Sequence, residues 1–222
     1  MSPAGGAGVP PRVRAPVRAW ARWVLLVAVV LIAALVSFAL GRLSAGEESV
    51  SDTGADAGFS RDMQAHHAQA VEMALLVRDK SANAEIRAIA YDIVTTQQQQ
   101  NGQMFAWLRD WGLSQARSQE PMAWMGTGHG TAPSHGDGNR PGEARMEGMA
   151  STAQMQALRT SSGPAADRLF TELMVRHHRG GVVMATAAAR LAKTAKVREL
   201  ATGIVAAQTA EINALEELRG RL

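Results

Sequence analysis

Cysteine is absent from all 222 residues. That removes disulfides, thiolate metal ligands and any lipid-modified cysteine behind an apolar leader. Runs of alternating β-branched residues are missing after about residue 55, so nothing there reads as a strand. Charge is missing from Trp23 to Leu40. This apolar run sits at the lower edge of the roughly 17–25 residues needed to span a bilayer. Arg12, Arg14, Arg18 and Arg22 precede it, and Glu47 and Glu48 follow. By the positive-inside rule, residues 1–22 lie in the cytoplasm, 23–40 form a transmembrane anchor, and the remainder lies outside the cell membrane. A secreted product is the alternative, with signal cleavage near Ser37-Phe38-Ala39. Signal cores run only about 7–15 apolar residues, which favours the uncleaved anchor.

Excess positive charge is also missing from most of the chain, despite a formal charge of +3. Five of the 23 Lys and Arg lie at or before Arg42. The other 18 face all 20 Asp and Glu from Leu43 onward, a balance near −2. The basic character belongs to the membrane flank and does not mark a nucleic-acid surface.

What is present is a pattern written twice. Asp56, Phe59, Met63, His66, His67, Val71, Met73 and Ala74 recur 111 residues later as Asp167, Phe170, Met174, His177, His178, Val182, Met184 and Ala185. The register continues through Arg87/Arg198, Ile93-Val94/Ile204-Val205 and Gln97/Gln208, giving 14 identities over the 56 positions from Asp56 to Trp111. It reads as a duplicated helical hairpin. At about 100° per residue, Asp56, Met63, His66, His67 and Met73 share one sector with Phe59, Ala70, Val71, Ala74 and Val77. The Met and His side chains are therefore expected on a buried face, beside small residues that admit a neighbouring backbone.

Residues 41–55 read as a short flexible stalk and 56–222 as the helical domain. Helix is expected over 56–77, then from a cap at Ser81 or Asn83 to about Trp111, with Gly112 as the stop. Residues 113–163 carry eight glycines with Pro121, Pro133 and Pro141, and are expected to form a long, largely irregular crossover containing a short helix near 143–159. A third helix starts at Ser162-Gly163-Pro164, and a fourth runs from Thr194 to the C-terminus. The fold class is all-α: a ferritin-like four-helix bundle of two hairpins joined by one long crossover, behind one transmembrane helix.

Heptads in the second and fourth helices place Ile86, Ile93, Gln100 and Trp107 in one line and Ala90, Gln97, Met104 and Trp111 in the other. Both seams are broken at one level, by Gln97/Gln100 and by Gln208/Glu211. Folding a hairpin at its turn brings position 97 beside 63–66, so a polar layer meets the Met/His cluster. Arg61, Arg78, Arg87 and Arg198 read as solvated helix faces.

Neutral imidazole suits several transition metals, whereas thioether sulfur narrows the choice to soft ions, Cu(I) and its analogue Ag(I). Outside the cytoplasm, methionine resists the oxidation that thiols suffer. A lone buried Met is usually core filler and a lone buried His a hydrogen-bonded core residue. The repeated His pair with Met three positions before it reverses that balance. The candidate ligands are Met63, His66, His67, Met73, Met174, His177, His178 and Met184. Asp56 and Asp167 divide evenly between helix capping and metal roles, while Gln97, Gln208 and Glu211 are candidates to orient the imidazoles. In the crossover, Met122, Met125, Met146, Met149, His129 and His135 are additional candidates that would fold over an ion or collect ions on their own.

These residues carry a family resemblance. Met-x-x-His-His followed by Ala-Val-x-Met-Ala, with Phe four positions before the Met, resembles the domain-of-unknown-function family numbered 305, over about residues 55–222. So does the lead-in Met146-Glu147-Gly148-Met149. The resemblance implies an exported ferritin-like bundle, with copper binding and tolerance in some members. It also implies Gln-x-x-Glu in the second helix of each hairpin; Gln208 and Glu211 fit, while Gln100 stands in the Glu position of the first. Gly180-Gly181 replaces the usual Gly-Ala.

The expected function is membrane-tethered, extracytoplasmic binding of copper for sequestration or tolerance: Cu(I) first, with Ag(I) or Cu(II) as options, and no catalysis. One alternative is a ferritin-like di-metal oxidoreductase, which takes carboxylates from four helices. No Glu stands three before either His pair, and Glu72 points about 180° from Met63 on the wheel. The other alternative is a metal-free helical interaction module with a pH-responsive histidine core.

Overall fold

The computed structural model describes residues 17–44, 49–126 and 146–222. Its described residues form six α-helices and one short 3-10 turn, with no strand among them. The chain divides into two compact units, 1–48 and 49–222.

The described residues of the first unit form one apolar helix, α1, Val17–Ser44. Within its stretch Trp20–Gly41 the mean hydropathy over 18 residues reaches 3.0, and its side chains are exposed. At about 1.5 Å per residue it is long enough to cross a hydrocarbon layer of roughly 30 Å.

The second unit contains α2 (Ala55–Lys80), α3 (Ala84–Asp110), α4 (Thr152–Thr160), α5 (Gly163–Leu191) and α6 (Ala195–Arg219). Helix ends follow local chemistry. Asn83 caps α3 by accepting from the Glu85 and Ile86 amides, and Gly112 takes the left-handed conformation (φ 68°) just beyond that helix. Ser151 and Gln154 form a reciprocal capping box on α4. Pro164 occupies the first turn of α5, where its missing N–H costs nothing.

Helix α2 packs along α3, α5 along α6, and the two pairs meet through α2 and α5. These central helices run antiparallel. Asp56, at the start of α2, accepts hydrogen bonds from the Lys193 and Thr194 amides and from the Thr194 hydroxyl in the α5–α6 turn. The buried apolar side chains form two clusters. One, toward the α2–α3 turn, holds Met73, Val77, Ile86, Ile93, Phe170, Met174 and Leu215. The other, toward the α5–α6 turn, holds Phe59, Met63, Met104, Met184, Val197 and Ile204.

Two expectations are corrected. The short helix of the crossover, α4, begins at Thr152 and not near residue 143, and the irregular described segments before it are packed, with Met122, Met125 and Met146 buried; the buried carboxylate of Asp62 and the side chain of Gln69 help hold these segments down. His129 and His135 lie outside the described residues. Arg61 is not solvated: it is buried, and its guanidinium donates to the Ser114 and Asp52 carbonyls and pairs with the Asp52 carboxylate. The chain just before α2 is thereby fastened to the end of α3. The helical wheel had no means of registering a partner outside its own helix.

Candidate metal centre

His66, His67, His177 and His178 are all fully buried, midway along the central helices. Helical spacing places each pair on the α2–α5 face, and the antiparallel crossing brings the pairs to one level. The rings of His66 and His177 stack, with centroids 3.7 Å apart and planes tilted by 33°. Met63 and Met184 belong to the apolar cluster on one side of this layer, Met73 and Met174 to the cluster on the other. The eight expected ligands are thus brought to one stretch of the α2–α5 interface.

The outer imidazoles are held from the flanking helices. His67 Nε2 lies 2.8 Å from Gln100 Oε1, and His178 Nε2 lies 2.6 Å from Glu211 Oε2. A carboxylate only accepts, so His178 carries a proton on Nε2 and Nδ1 is the nitrogen left for an ion. Gln100 offers either an oxygen or an NH2 group, so it fixes its histidine less strictly. Glu211 is partly exposed, where the sequence had suggested burial.

Among the described residues, ten of the twelve buried side-chain N and O atoms without a hydrogen-bond partner belong to this layer. They are both nitrogens of His66 and His177, Nδ1 of His67 and His178, and the whole amides of Gln97 and Gln208. Each such orphan costs about 1–3 kcal/mol, so the concentration is energetically expensive. Position 97 was expected to meet the Met/His cluster; the hydrogen bond comes instead from position 100, one turn later.

Burial drives His66, His67 and His177 toward the neutral form. It pushes the His67 pKa down to about 3 despite the opposing Gln100 hydrogen bond. It also holds His66 and His177 well below the ordinary histidine value, helped by the neighbouring imidazoles. A neutral ring presents a lone pair, as metal ligation requires.

A strap closes over the layer. Gln69 on α2 brackets Ala150, accepting from its N–H at 2.7 Å and donating to its carbonyl at 3.0 Å. On the α5 side, a Cβ on Gly180 would collide with the Glu147 carbonyl, and Gly148 (φ 82°) lies against the Arg176 and His177 backbone. The Glu147 carbonyl faces His66 without reaching hydrogen-bond geometry. Met146 is buried and Met149 partly buried on this strap. The sequence reading missed Asp62, Gln69 and the role of Gly180. Asp62 left a signal, since its wheel position is about 20° from that of Met73.

The remaining candidates separate. Both oxygens of Asp56 are engaged by the α5–α6 turn. Asp167, its counterpart, is buried with Oδ1 unpartnered. No three His, Asp or Glu side chains among the described residues converge as a ready metal cluster. A metal in this layer would therefore need thioether donors or a rotation of the stacked rings. The donor set of imidazole and thioether with no thiolate fits a soft ion.

The family model described as "Domain of unknown function (DUF305)" matches residues 56–219. A Streptomyces coelicolor protein, named as a secreted DUF305 protein, is 40% identical, with a TM-score of 0.67 over 77% of this chain and 96% of that one. A DUF305 fragment from Deinococcus radiodurans is 34% identical, with a TM-score of 0.60 over 76% and 97%. CopM in its Cu(I)-bound form has the same fold at 21% identity, with a TM-score of 0.55 over 75% and 96%. CopM is also known in Cu(II)- and Ag-bound forms. Among curated proteins, none matches this chain.

Proposed function

This chain belongs to the DUF305 family, and we propose that it is a soft-metal binding protein without catalytic activity, tethered by α1 outside the cytoplasmic membrane and sequestering Cu(I). Its helices are read as two copies of one hairpin in a ferritin-like bundle. The observation that carries the reading is the buried layer in which six imidazole nitrogens of four histidines and two glutamine amides lack partners between two pairs of methionines. His67 and His178 would bind through Nδ1, with Gln100 and Glu211 holding the rings from behind. Met63, Met73, Met174 and Met184 would supply sulfur. The metals of CopM, a relative in fold, lend the choice of copper or silver further support.

The ion supplies no reaction here; the protein supplies its selection. Thioether donors favour monovalent copper or silver over zinc and iron. A chain without cysteine keeps those donors in an oxidising compartment. The di-metal oxidase alternative finds little support, because Asp56 is committed to the α5–α6 turn and Asp62 to the crossover. The test is a Cu(I) titration of the full chain in detergent against a competing chelator. Replacing His66, His67, His177 and His178 by Ala should weaken the tightest site by at least a hundredfold, about 2.7 kcal/mol. Affinity equal to that of the parent protein would sink the proposal.

A further inference from the structure

The ten methionines beyond the initiator are divided unequally between the two apolar clusters. Toward the α2–α3 turn lie Met73, Met155 and Met174. Toward the α5–α6 turn lie Met63, Met104, Met122, Met125, Met146 and Met184, with Met149 packed against them. The 111-residue shift accounts for only two in each. It pairs Met104 with Leu215, so the same helical position is filled by leucine at the other end.

Packing alone does not favour this composition. Burying a methionine costs more side-chain entropy than burying a leucine. Two further features show that the fold holds these sulfurs deliberately. Met122 has φ 65° and is 3% exposed. Such a left-handed backbone strains any residue but glycine, yet glycine would place no side chain in the cluster. Asp62, itself buried, holds Met122 there: Oδ2 accepts from the Met122 amide at 2.7 Å and from Trp124 Nε1 at 2.9 Å, while Oδ1 accepts from Arg117 Nε at 2.7 Å. The second feature is the Met146 sulfur, which accepts a long contact of 3.9 Å from Arg117 Nη2. Its lone pairs thus face a polar donor, and that same Arg117 lines a surface cleft together with Asp52, Arg61, Asp62, Glu120 and Trp124.

We propose a second soft-metal site, made of thioethers alone and separate from the histidine layer, in which Met122, Met125, Met146 and Met149 bind Cu(I) or Ag(I). An entering ion displaces Arg117 Nη2 from Met146, and Arg117 keeps its ion pair with Asp62 through Nε. Neutral sulfur donors leave the charge of the ion unbalanced, so a buried site of this kind takes a monovalent ion and rejects Cu(II).

The site does not depend on the histidine proposal, and two variants of the full chain in detergent separate them. In the first, Met122→Leu, Met125→Leu, Met146→Leu and Met149→Leu are combined, near-isosteric changes that cores tolerate well. This variant should lose one equivalent of Ag(I) while its helicity and Cu(II) uptake match the parent. In the second, the four histidines are replaced by Ala. It should retain an Ag(I) site whose absorption edge and fine structure report sulfur neighbours only. Silver stoichiometry and affinity unchanged in the methionine variant overturn the proposal, whatever the histidine variant does. If the histidine variant does not fold, fine structure of the parent at one and two silver equivalents decides: a nitrogen count per silver that differs between the two loadings supports the site, and an equal count at both overturns it.

Discussion

The α2–α3 pair and the α5–α6 pair carry the same residues at their centre and different ones around it. His66-His67 and His177-His178 are both buried, and Gln97 and Gln208 both lie without partners. The supports differ. His67 meets an uncharged amide, His178 a carboxylate. Ala70 in α2 corresponds to Gly181 in α5, whose absent Cβ leaves room for the Gln208 amide. Asp56 is fully bonded to the opposite turn, whereas Asp167 has an oxygen unpaired. Methionine crowds one end of the helices and is sparse at the other. The shared centre thus preserves the candidate donors, and the surroundings diverge in charge and packing.

The largest effect should come from unfastening the methionine-rich end. Asp62→Ala removes one acceptor from Arg117 and another from the Met122 amide and Trp124. The buried Met122 amide is then left unpaired, and the variant should lose about 3–5 kcal/mol of stability. The corresponding residue at the other end is Leu173, which is already apolar, so Leu173→Met should cost only about 1 kcal/mol. Chemical denaturation of the metal-free proteins measures both. Equal losses would mean that the two ends are not fastened differently.

Acid should act on the shared centre. His66, His67 and His177 have folded pKa values below the ordinary histidine value near 6.5, so the unfolded chain binds protons that the folded chain refuses. Stability is therefore full above pH 6.5 and falls as pH drops toward the folded value, about 3 for His67. Each group contributes up to about 1.4 kcal/mol per pH unit. Metal-free protein should lose roughly 3 kcal/mol between pH 6.5 and 5.5, and the His66→Leu/His177→Leu double variant clearly less. Thermal melts across that window would contradict this account if parent and variant ran parallel.

Much of this centre was legible in the sequence, because a helix face is a local property. The spacing of Met63, His66, His67 and Met73 fixes their common face, and the 111-residue shift points to their counterparts. Charge-free residues 23–40 likewise announce α1, which extends from Val17 to Ser44. What escaped were contacts between distant segments. Arg61 looks like a solvated arginine until Asp52 and Ser114 surround it. Met122 and Met146 sit among glycines and prolines that suggest an irregular loop, yet Asp62 and Gln69, about 60 and 80 residues away, help hold their segments in place.

Exchanging the supports should sharpen the comparison at the metal. Glu211→Gln gives His178 the neutral partner that His67 has, and Gln100→Glu does the reverse. A carboxylate behind an imidazole raises its basicity as a ligand, and losing such a partner typically costs 10–100-fold in affinity. Glu211→Gln should therefore weaken Cu(II) binding about tenfold, roughly 1.4 kcal/mol, and Cu(I) binding less. Gln100→Glu should strengthen Cu(II) binding. Chelator competition with each ion checks this, and identical responses to both would mean that the layer does not distinguish charge.

The smallest change concerns the single methyl group that separates Ala70 from Gly181. A Cβ at position 181 would meet Oε1 of Gln208, the mobile end of a long side chain and not fixed backbone. Gln208 has no hydrogen bond to lose in moving. Against the steric push stands the gain from replacing a mid-helix glycine, about 0.5–1 kcal/mol in favour of alanine. The two nearly cancel, so Gly181→Ala should alter stability by less than about 1 kcal/mol. Its effect should appear at the metal instead, because a displaced Gln208 amide lies against α5, which carries His178, and acts on that ring more directly than on His67 of α2. A silver titration followed by imidazole NMR signals reads this directly. Shifts larger at His178 than at His67 are expected, and equal shifts at the two would show that the two halves of the layer respond as one.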